Sequence, residues 1–263
     1  MTAPVVDATN TSAETAQVLS HTVALPAGIN NAGRLIKVMI SYAIAGGLGG
    51  GPGGFMVWTW PGGWEPVDQD EQQQGGDNGF VCACYLTTGS EGFTGDGSDT
   101  IEVTSDLVSR SAHNTYSFTG AENPSTQLPE VTTSIAANSA PDPPANTPTG
   151  GPKDFTYIAV GASSLDDTFS AYSSGYSGGI FVNTGGANAN HARCGSCYLE
   201  TTSSTTEDPG GFTDPDSATA EVVSATIAIH PAGGAPPAGQ PFMVRTQGVP
   251  TSAGRRDRPA RWN

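Results

Sequence analysis

The amino-acid sequence predicts an all-β protein, and three observations lead to that fold class. Glycine and proline account for 35 and 20 of the 263 residues, and both weaken helices and supply turns. No segment shows a sustained helical spacing of apolar residues. Short apolar or alternating segments bounded by turn residues occur instead, which is typical of β-strands.

An internal repeat is the second prediction from the sequence. Similar strings recur in the same order in the two halves of the chain, at offsets of 112 to 120 residues. One such match is expected by chance, whereas an ordered series indicates duplication. The matches pair residues 34–38 with 154–158, Trp60 and Trp64 with Tyr172 and Tyr176, 84–86 with 197–199, 92–94 with 211–213, and 102–103 with 221–222.

Each copy is predicted to contain four or five strands. Residues 80–86 form a continuous apolar run that suits a strand buried on both faces. Residues 101–103 alternate between apolar and polar, as a half-buried strand does. The strands predicted for the first copy are 35–43, 55–60, 80–87, 100–105 and 113–119, with 21–25 before them; those for the second are 155–161, one ending near Tyr172, 192–200 and 218–229.

The domain boundaries follow from these strands and from proline. Residues 1–230 are predicted to form one jelly-roll-like β-sandwich, with repeat one at about 20–120 and repeat two at about 154–230. The repeats would interleave, because each copy alone leaves a sheet face uncovered. Residues 121–153 hold seven prolines and are predicted to be an extended surface crossover. Two separate sandwiches are the alternative.

An extended C-terminal arm is predicted over residues 231–263. The chain carries a net charge of −15, yet five of its ten basic residues lie in the last 19 positions, with Asp257 as the one acid there. The acidic body disfavours nucleic-acid binding. Arginine and tryptophan often dominate protein interfaces, so we expect the arm to bind a partner protein. The residues expected to do so are Phe242, Met243, Arg245, Arg255, Arg256, Arg258, Arg261 and Trp262.

The sequence gives no sign of a secretion signal or a membrane helix. The N-terminal residues lack a basic region followed by an apolar one, and glycines at 46–54 interrupt the longest apolar stretch. Cys82, Cys84, Cys194 and Cys197 are therefore expected to be thiols in a reducing cytosol. Buried thiols are the favoured interpretation, with a disulfide or a zinc site as alternatives. We predict no cofactor.

Three further patterns have a functional and a structural interpretation. Residues 175–179 match G-x-S-x-G, but a turn and strand follow instead of the required helix, so we predict no enzyme. The acidic loops near Asp96 and Asp214 suit tight turns, and calcium binding stays open. Some aromatic side chains could form a sugar platform, although core or interface positions are commoner. These are Trp58, Trp60, Trp64, Tyr172 and Tyr176.

Several strings also resemble structural proteins of tailed bacteriophages. They lie at residues 21–28, 33–36, 60–64, 139–144, 170–176 and 224–229, so the resemblance spans about residues 20–231. Proteins of this kind are virion components, described as head decoration or tail proteins. The resemblance therefore implies a virion protein that is made in the host cytoplasm.

The leading functional hypothesis is a capsid decoration, or cement, protein on the outer shell. Its expected partners are the major capsid protein, other virion proteins or further copies of this chain, without nucleic acid or membrane. The alternative is a tail, neck or fibre component with a carbohydrate-binding face.

Overall fold

The computed structural model describes residues 2–44, 56–71, 78–137, 140–164, 169–185, 191–214 and 221–233. These residues form eleven β-strands in two antiparallel sheets, which confirms the predicted all-β sandwich. Within them, no helix is long and apolar enough to cross a membrane. The strands are β1 Val5–Ala24, β2 Leu35–Ile44, β3 Trp58–Thr59, β4 Glu65–Glu71, β5 Asn78–Leu86, β6 Thr100–Thr119, β7 Glu130–Ala137, β8 Thr156–Ser163, β9 Ser177–Asn183, β10 Arg193–Glu200 and β11 Glu221–Ile229.

The two sheets share one strand order. The first sheet runs β1-β6-β2-β5-β4, with β3 paired beside β6, and the second runs β7-β11-β8-β10-β9. If β3 is set aside and the other five strands of each sheet are numbered in chain order, both sheets have the spatial order 1-5-2-4-3. A duplicated five-strand unit would give this arrangement.

The predicted interleaving of the two halves is wrong for the described strands. In a jelly roll both sheets take strands from both halves of the chain. Here the first sheet takes its strands from Val5–Thr119 and the second takes its strands from Glu130–Ile229. Each half therefore builds a complete sheet, and the uncovered face that motivated interleaving packs against the other sheet.

Several strands differ from the prediction. β1 and β6 are each 20 residues long, so β6 merges two predicted strands and the first half begins well before residue 20. β7 lies inside the predicted crossover and pairs with β11 as an edge strand. The crossover prediction failed there because residues 130–137 contain no proline. β4 and β9 were not predicted, and Tyr172 lies outside any strand.

The central core lies between the two sheets. In an extended strand alternate side chains share a face, so β2 directs Leu35 and Met39 inward and Ile36 and Val38 outward. The side chains that fill the central core include Leu35, Met39, Phe80, Cys82, Cys84, Tyr116, Phe118, Ile158, Val160, Cys194, Val223, Ala225, Ile227 and Ile229.

A second core covers the outer face of the first sheet. The β1–β6 ribbon shifts register between Glu14 and Ser20 and folds back over its own first half. Two contacts fix the fold: Asn10 Nδ2 donates to the Leu25 carbonyl at 2.8 Å, and the Ala24 amide donates to Ser12 Oγ at 2.9 Å. Val23 and Val103 are thereby buried against the outward face of β2.

Loops cover the outer face of the second sheet. Phe169, Tyr176 and Phe212 come from segments between strands and pack on Phe155 and Tyr157. Beyond this cover, the predicted arm can be followed only to Gly233. The arm residues proposed for partner binding lie outside the described residues.

Candidate functional site

An open cleft with a volume of about 500 Å³ lies beside β3 at the outer side of the first sheet. Three consecutive residues at the end of β3 form one wall, and residues near the start of β6 form the other. The lining residues are Thr59, Trp60, Pro61, Ile101, Glu102 and Thr104. The two walls are held together because Thr59 pairs with Thr104 in the sheet.

A tight turn after β3 positions the Trp60 ring. The Trp64 amide donates to the Pro61 carbonyl at 3.2 Å, which closes a four-residue turn. Gly63 has a φ of 86°, a region that glycine enters without steric cost. A Cβ at this position would lie 3.0 Å from the Tyr85 ring, so the turn also needs glycine for space.

Three stacked aromatic rings support the cleft. The Trp60 and Trp64 ring centroids are 5.9 Å apart with an interplanar angle of 21°, and Trp64 stacks on Tyr85 at 5.4 Å and 24°. Trp64 is buried, while Trp60 is half-buried at the cleft. Tyr85 donates its hydroxyl hydrogen to Glu91 Oε1 at 2.8 Å. Burial, together with this carboxylate, raises the pKa of Tyr85 to about 12, so the hydroxyl stays protonated as the donor.

The cleft combines one apolar surface with a few polar groups. The indole of Trp60 and the side chain of Ile101 supply the apolar part, whereas Glu102, Thr59 and Thr104 carry carboxylate and hydroxyl groups. Mostly apolar sites with a small number of polar groups are typical of small-molecule binding. The arrangement suits recognition of a ligand by stacking and hydrogen bonding.

A buried chain of serine and histidine side chains runs through the folded ribbon. The His113 ring bonds Ser12 Oγ through Nδ1 at 2.8 Å and Ser111 Oγ through Nε2 at 2.7 Å. Ser111 Oγ also bonds His21 Nδ1 at 2.7 Å, and His21 Nε2 bonds Ser105 Oγ at 3.0 Å. Burial lowers the pKa of His21 to about 4 and of His113 to about 3, so both rings are neutral near pH 7.

The direction of this hydrogen-bond chain follows from its last member. Ser105 donates its hydroxyl hydrogen to the Leu107 carbonyl at 2.8 Å and must therefore accept from His21 Nε2. Neutral His21 then accepts from Ser111, which accepts from His113. Ser111 and His113 are completely buried, so no substrate can contact them in this arrangement. The chain satisfies buried polar groups and stabilises the ribbon.

The four cysteines are free and buried, as the sequence favoured. Burial raises the pKa of Cys84, Cys194 and Cys197 to about 12, which disfavours the reactive thiolate. Cys82 accepts a hydrogen bond from Lys37 Nζ at 3.2 Å inside the central core. Within the part of the chain that the structure describes, no group of three or more histidine, cysteine or acidic residues is arranged to hold a metal ion.

The acidic loops use their carboxylates locally. Asp96 accepts hydrogen bonds from Ser98 and Thr94, which lower its pKa to about 2, and Asp99 accepts from the Thr94 and Gly95 amides. In the second loop, Asp214 forms a buried ion pair with Arg193. Residues 215 and 216 lie outside the described residues.

The remaining sequence-predicted sites have distinct outcomes. Ser177 of the G-x-S-x-G string begins strand β9, so no helix follows it, as expected. Among the aromatic candidates, Trp58, Trp64 and Tyr176 are buried, whereas Trp60 and Tyr172 are partly exposed. Glu102 and Thr104 also line the cleft, and neither was predicted from the sequence to be a site residue. The alternation of apolar and polar residues that begins at Ile101 could have indicated them, because it directs the side chains of residues 102 and 104 to the solvent side of the strand.

Comparison with known proteins assigns this chain to no family. No family model, no curated protein and no solved structure matches this chain.

Proposed function

We propose that this protein is a structural component of a bacteriophage virion and acts as a capsid decoration protein on the outer shell. Two observations support the proposal beside the residue strings that resemble phage structural proteins. The chain forms a two-sheet sandwich, and four exposed apolar residues lie near one another along the backbone where the β1–β6 ribbon bends. That cluster carries the proposal, because exposed apolar patches mark surfaces that bind other proteins.

The cluster lies where the β1–β6 ribbon bends, and we call it the apolar tip. It comprises Leu19, Val57, Leu107 and Val108, with exposed fractions of 49, 48, 39 and 45%. Leu19 lies in the register shift opposite the segment that contains Leu107 and Val108. Val57 is brought to the same place because its amide and carbonyl both bond Asp106, at 2.8 and 3.1 Å.

Burial of the apolar tip in an interface would remove four partly exposed side chains from water at once. Full burial of one such side chain is worth roughly 1.5–3 kcal/mol, and because these four are already about half buried, an interface adds on the order of half that for each. A monomer that keeps four of them exposed at one bend gives up this stabilisation, and an interface with the capsid shell recovers it. The C-terminal arm, with Phe242 and Trp262, would supply a second anchor on the major capsid protein or a neighbouring copy.

A particle-binding assay tests the proposal. We expect the full chain to cosediment with virion shells that lack it, and Leu107→Asp with Val108→Asp to reduce binding at least tenfold. Leu128→Asp with Ile135→Asp is the matched control, because it also adds two carboxylates and both residues are exposed, by 38 and 39%, at other positions. Equal binding by the tip variant and the control would show that the tip is not the docking surface.

Copy number separates the two virion roles. A number of copies per particle close to that of the major capsid protein indicates decoration, whereas a far smaller number indicates the tail, neck or fibre alternative.

Deletion of residues 251–263 should leave a folded protein with weaker particle binding. Absence of the chain from purified virions would overturn the proposal.

A further inference from the structure

We infer that the Trp60 cleft binds a neutral saccharide, with one sugar ring stacked on the indole of Trp60. The inference concerns the isolated protein and does not rest on a virion role or on a position on the particle.

The stacking surface is preorganised. Trp60 lies at the end of a stack with Trp64 and Tyr85, and the Pro61–Trp64 turn fixes the loop that carries it. A rigid aromatic surface loses little conformational freedom on binding, so more of the contact energy appears as affinity. A pyranose ring presents an apolar C–H face of similar width, which can pack on the indole as other apolar groups do.

The polar groups suit the rim of a sugar ring. Glu102 is an exposed carboxylate that accepts hydrogen bonds from two directions, and the hydroxyls of Thr59 and Thr104 can both donate and accept. A sugar presents several adjacent hydroxyls that need both kinds of partner. The cleft is open to solvent, so one or two sugar rings can lie against the indole while their outer hydroxyls stay in water.

Charge selects among the ligands that stack on tryptophan. Nucleotides and acidic glycans carry negative charge, and they would meet Glu102 in the cleft and a chain of net charge −15. Neutral saccharides meet no such repulsion. The combination of a half-buried ring, hydroxyls and a carboxylate, with no basic residue in the lining, therefore favours a neutral saccharide.

A titration of the full chain with a panel of neutral disaccharides tests the inference. The probes are maltose, lactose, cellobiose, mannobiose and N,N′-diacetylchitobiose, and binding is followed by tryptophan fluorescence and calorimetry. We expect at least one to bind and to change the tryptophan emission. Trp60→Ala should weaken that binding at least tenfold, and Glu102→Gln should weaken it to a smaller extent.

Tyr172→Ala is the matched control. Tyr172 is the aromatic residue at the corresponding position of the second half and is 38% exposed, but it packs over Gly179 and Phe181. Its replacement should leave saccharide binding unchanged. Thermal unfolding curves establish that each variant is folded.

Three results would overturn the inference. They are no binding of any probe, equal binding by Trp60→Ala, and preferential binding of a single-stranded oligonucleotide or heparin. Because the assay uses purified protein, its outcome is separate from that of the particle-binding experiment.

Discussion

The two halves of the molecule share a strand order but protect the outer faces of their sheets by different means. The first half folds the long β1–β6 ribbon back over itself, and the neutral serine–histidine chain satisfies its buried polar groups. The second half uses irregular loops, which contribute Phe169 and Phe212, and the buried Arg193–Asp214 ion pair ties the loop that carries Asp214 to β10. One topology thus accepts two chemically distinct covers.

The two halves also share the backbone conformation of one loop, which carries Trp60 and Trp64 in the first half and Tyr172 and Tyr176 in the second. Gly63 and Gly175 have φ values of 86° and 87°, and each precedes a buried aromatic residue. The amides of Trp64 and Tyr176 each donate to a carbonyl three residues earlier, at 3.2 Å. The backbone is alike in both loops, so the difference between the open cleft beside Trp60 and the packing of Tyr172 over Gly179 and Phe181 comes from the surrounding side chains.

The largest expected effect is on the ion pair of the second half. In Asp214→Asn, an amide replaces the carboxylate that pairs with the buried Arg193 guanidinium, whose Cζ lies 4.3 Å from the centroid of the Phe169 ring. Loss of one partner of a buried pair costs about 3–5 kcal/mol, and we expect this loss in the free energy of unfolding by denaturant. Asp208→Asn, at an exposed carboxylate, should change it little. Equal losses would contradict the distinction.

The first half should instead lose stability in mild acid. His21 and His113 have folded pKa values below the usual 6.5, so the unfolded chain binds protons that the folded chain does not. Stability is therefore complete above pH 6.5 and falls as the pH drops, by about 2 kcal/mol per histidine between pH 7 and pH 5. Unfolding measurements across this range should show a smaller slope for His21→Gln. An unchanged slope would refute neutral burial of His21.

The glycine turns provide a smaller and matched test. Gly175→Ala should cost about 1–2 kcal/mol, because alanine is strained at positive φ. Gly63→Ala should cost more, since its Cβ would also contact the Tyr85 ring, whereas no atom lies within 4 Å of a Cβ at Gly175. Denaturant unfolding of the two variants measures the difference. A larger loss for Gly175→Ala would contradict the proposed packing at Gly63.

The smallest expected effect is that of metal removal. The four thiols are divided between the halves, and all are buried and uncharged. We therefore expect a chelator to leave the thermal unfolding temperature unchanged and a chromogenic disulfide reagent to react only on unfolding. Zinc bound in stoichiometric amount would contradict this expectation.

Part of the fold was predictable because it depends on local composition. Alternation at 101–103 and the apolar run at 80–86 identified strands correctly, since burial of one or both faces imposes a pattern on neighbouring residues. The edge strands β4 and β9 were not predicted, because edge positions are only partly buried and therefore leave a weak apolar pattern in the sequence.

The sequence by itself determined the all-β class, most of the strands that lie inside the two sheets, the burial of the cysteines and the negative charge of the residues before the C-terminal arm. The tertiary structure alone decided that each half forms its own sheet, because strand pairing joins residues far apart in the chain. It also decided that Trp60 faces a cleft while Trp64 is buried. Both tryptophans have the same local preferences, and only packing against Tyr85 and the folded ribbon distinguishes them.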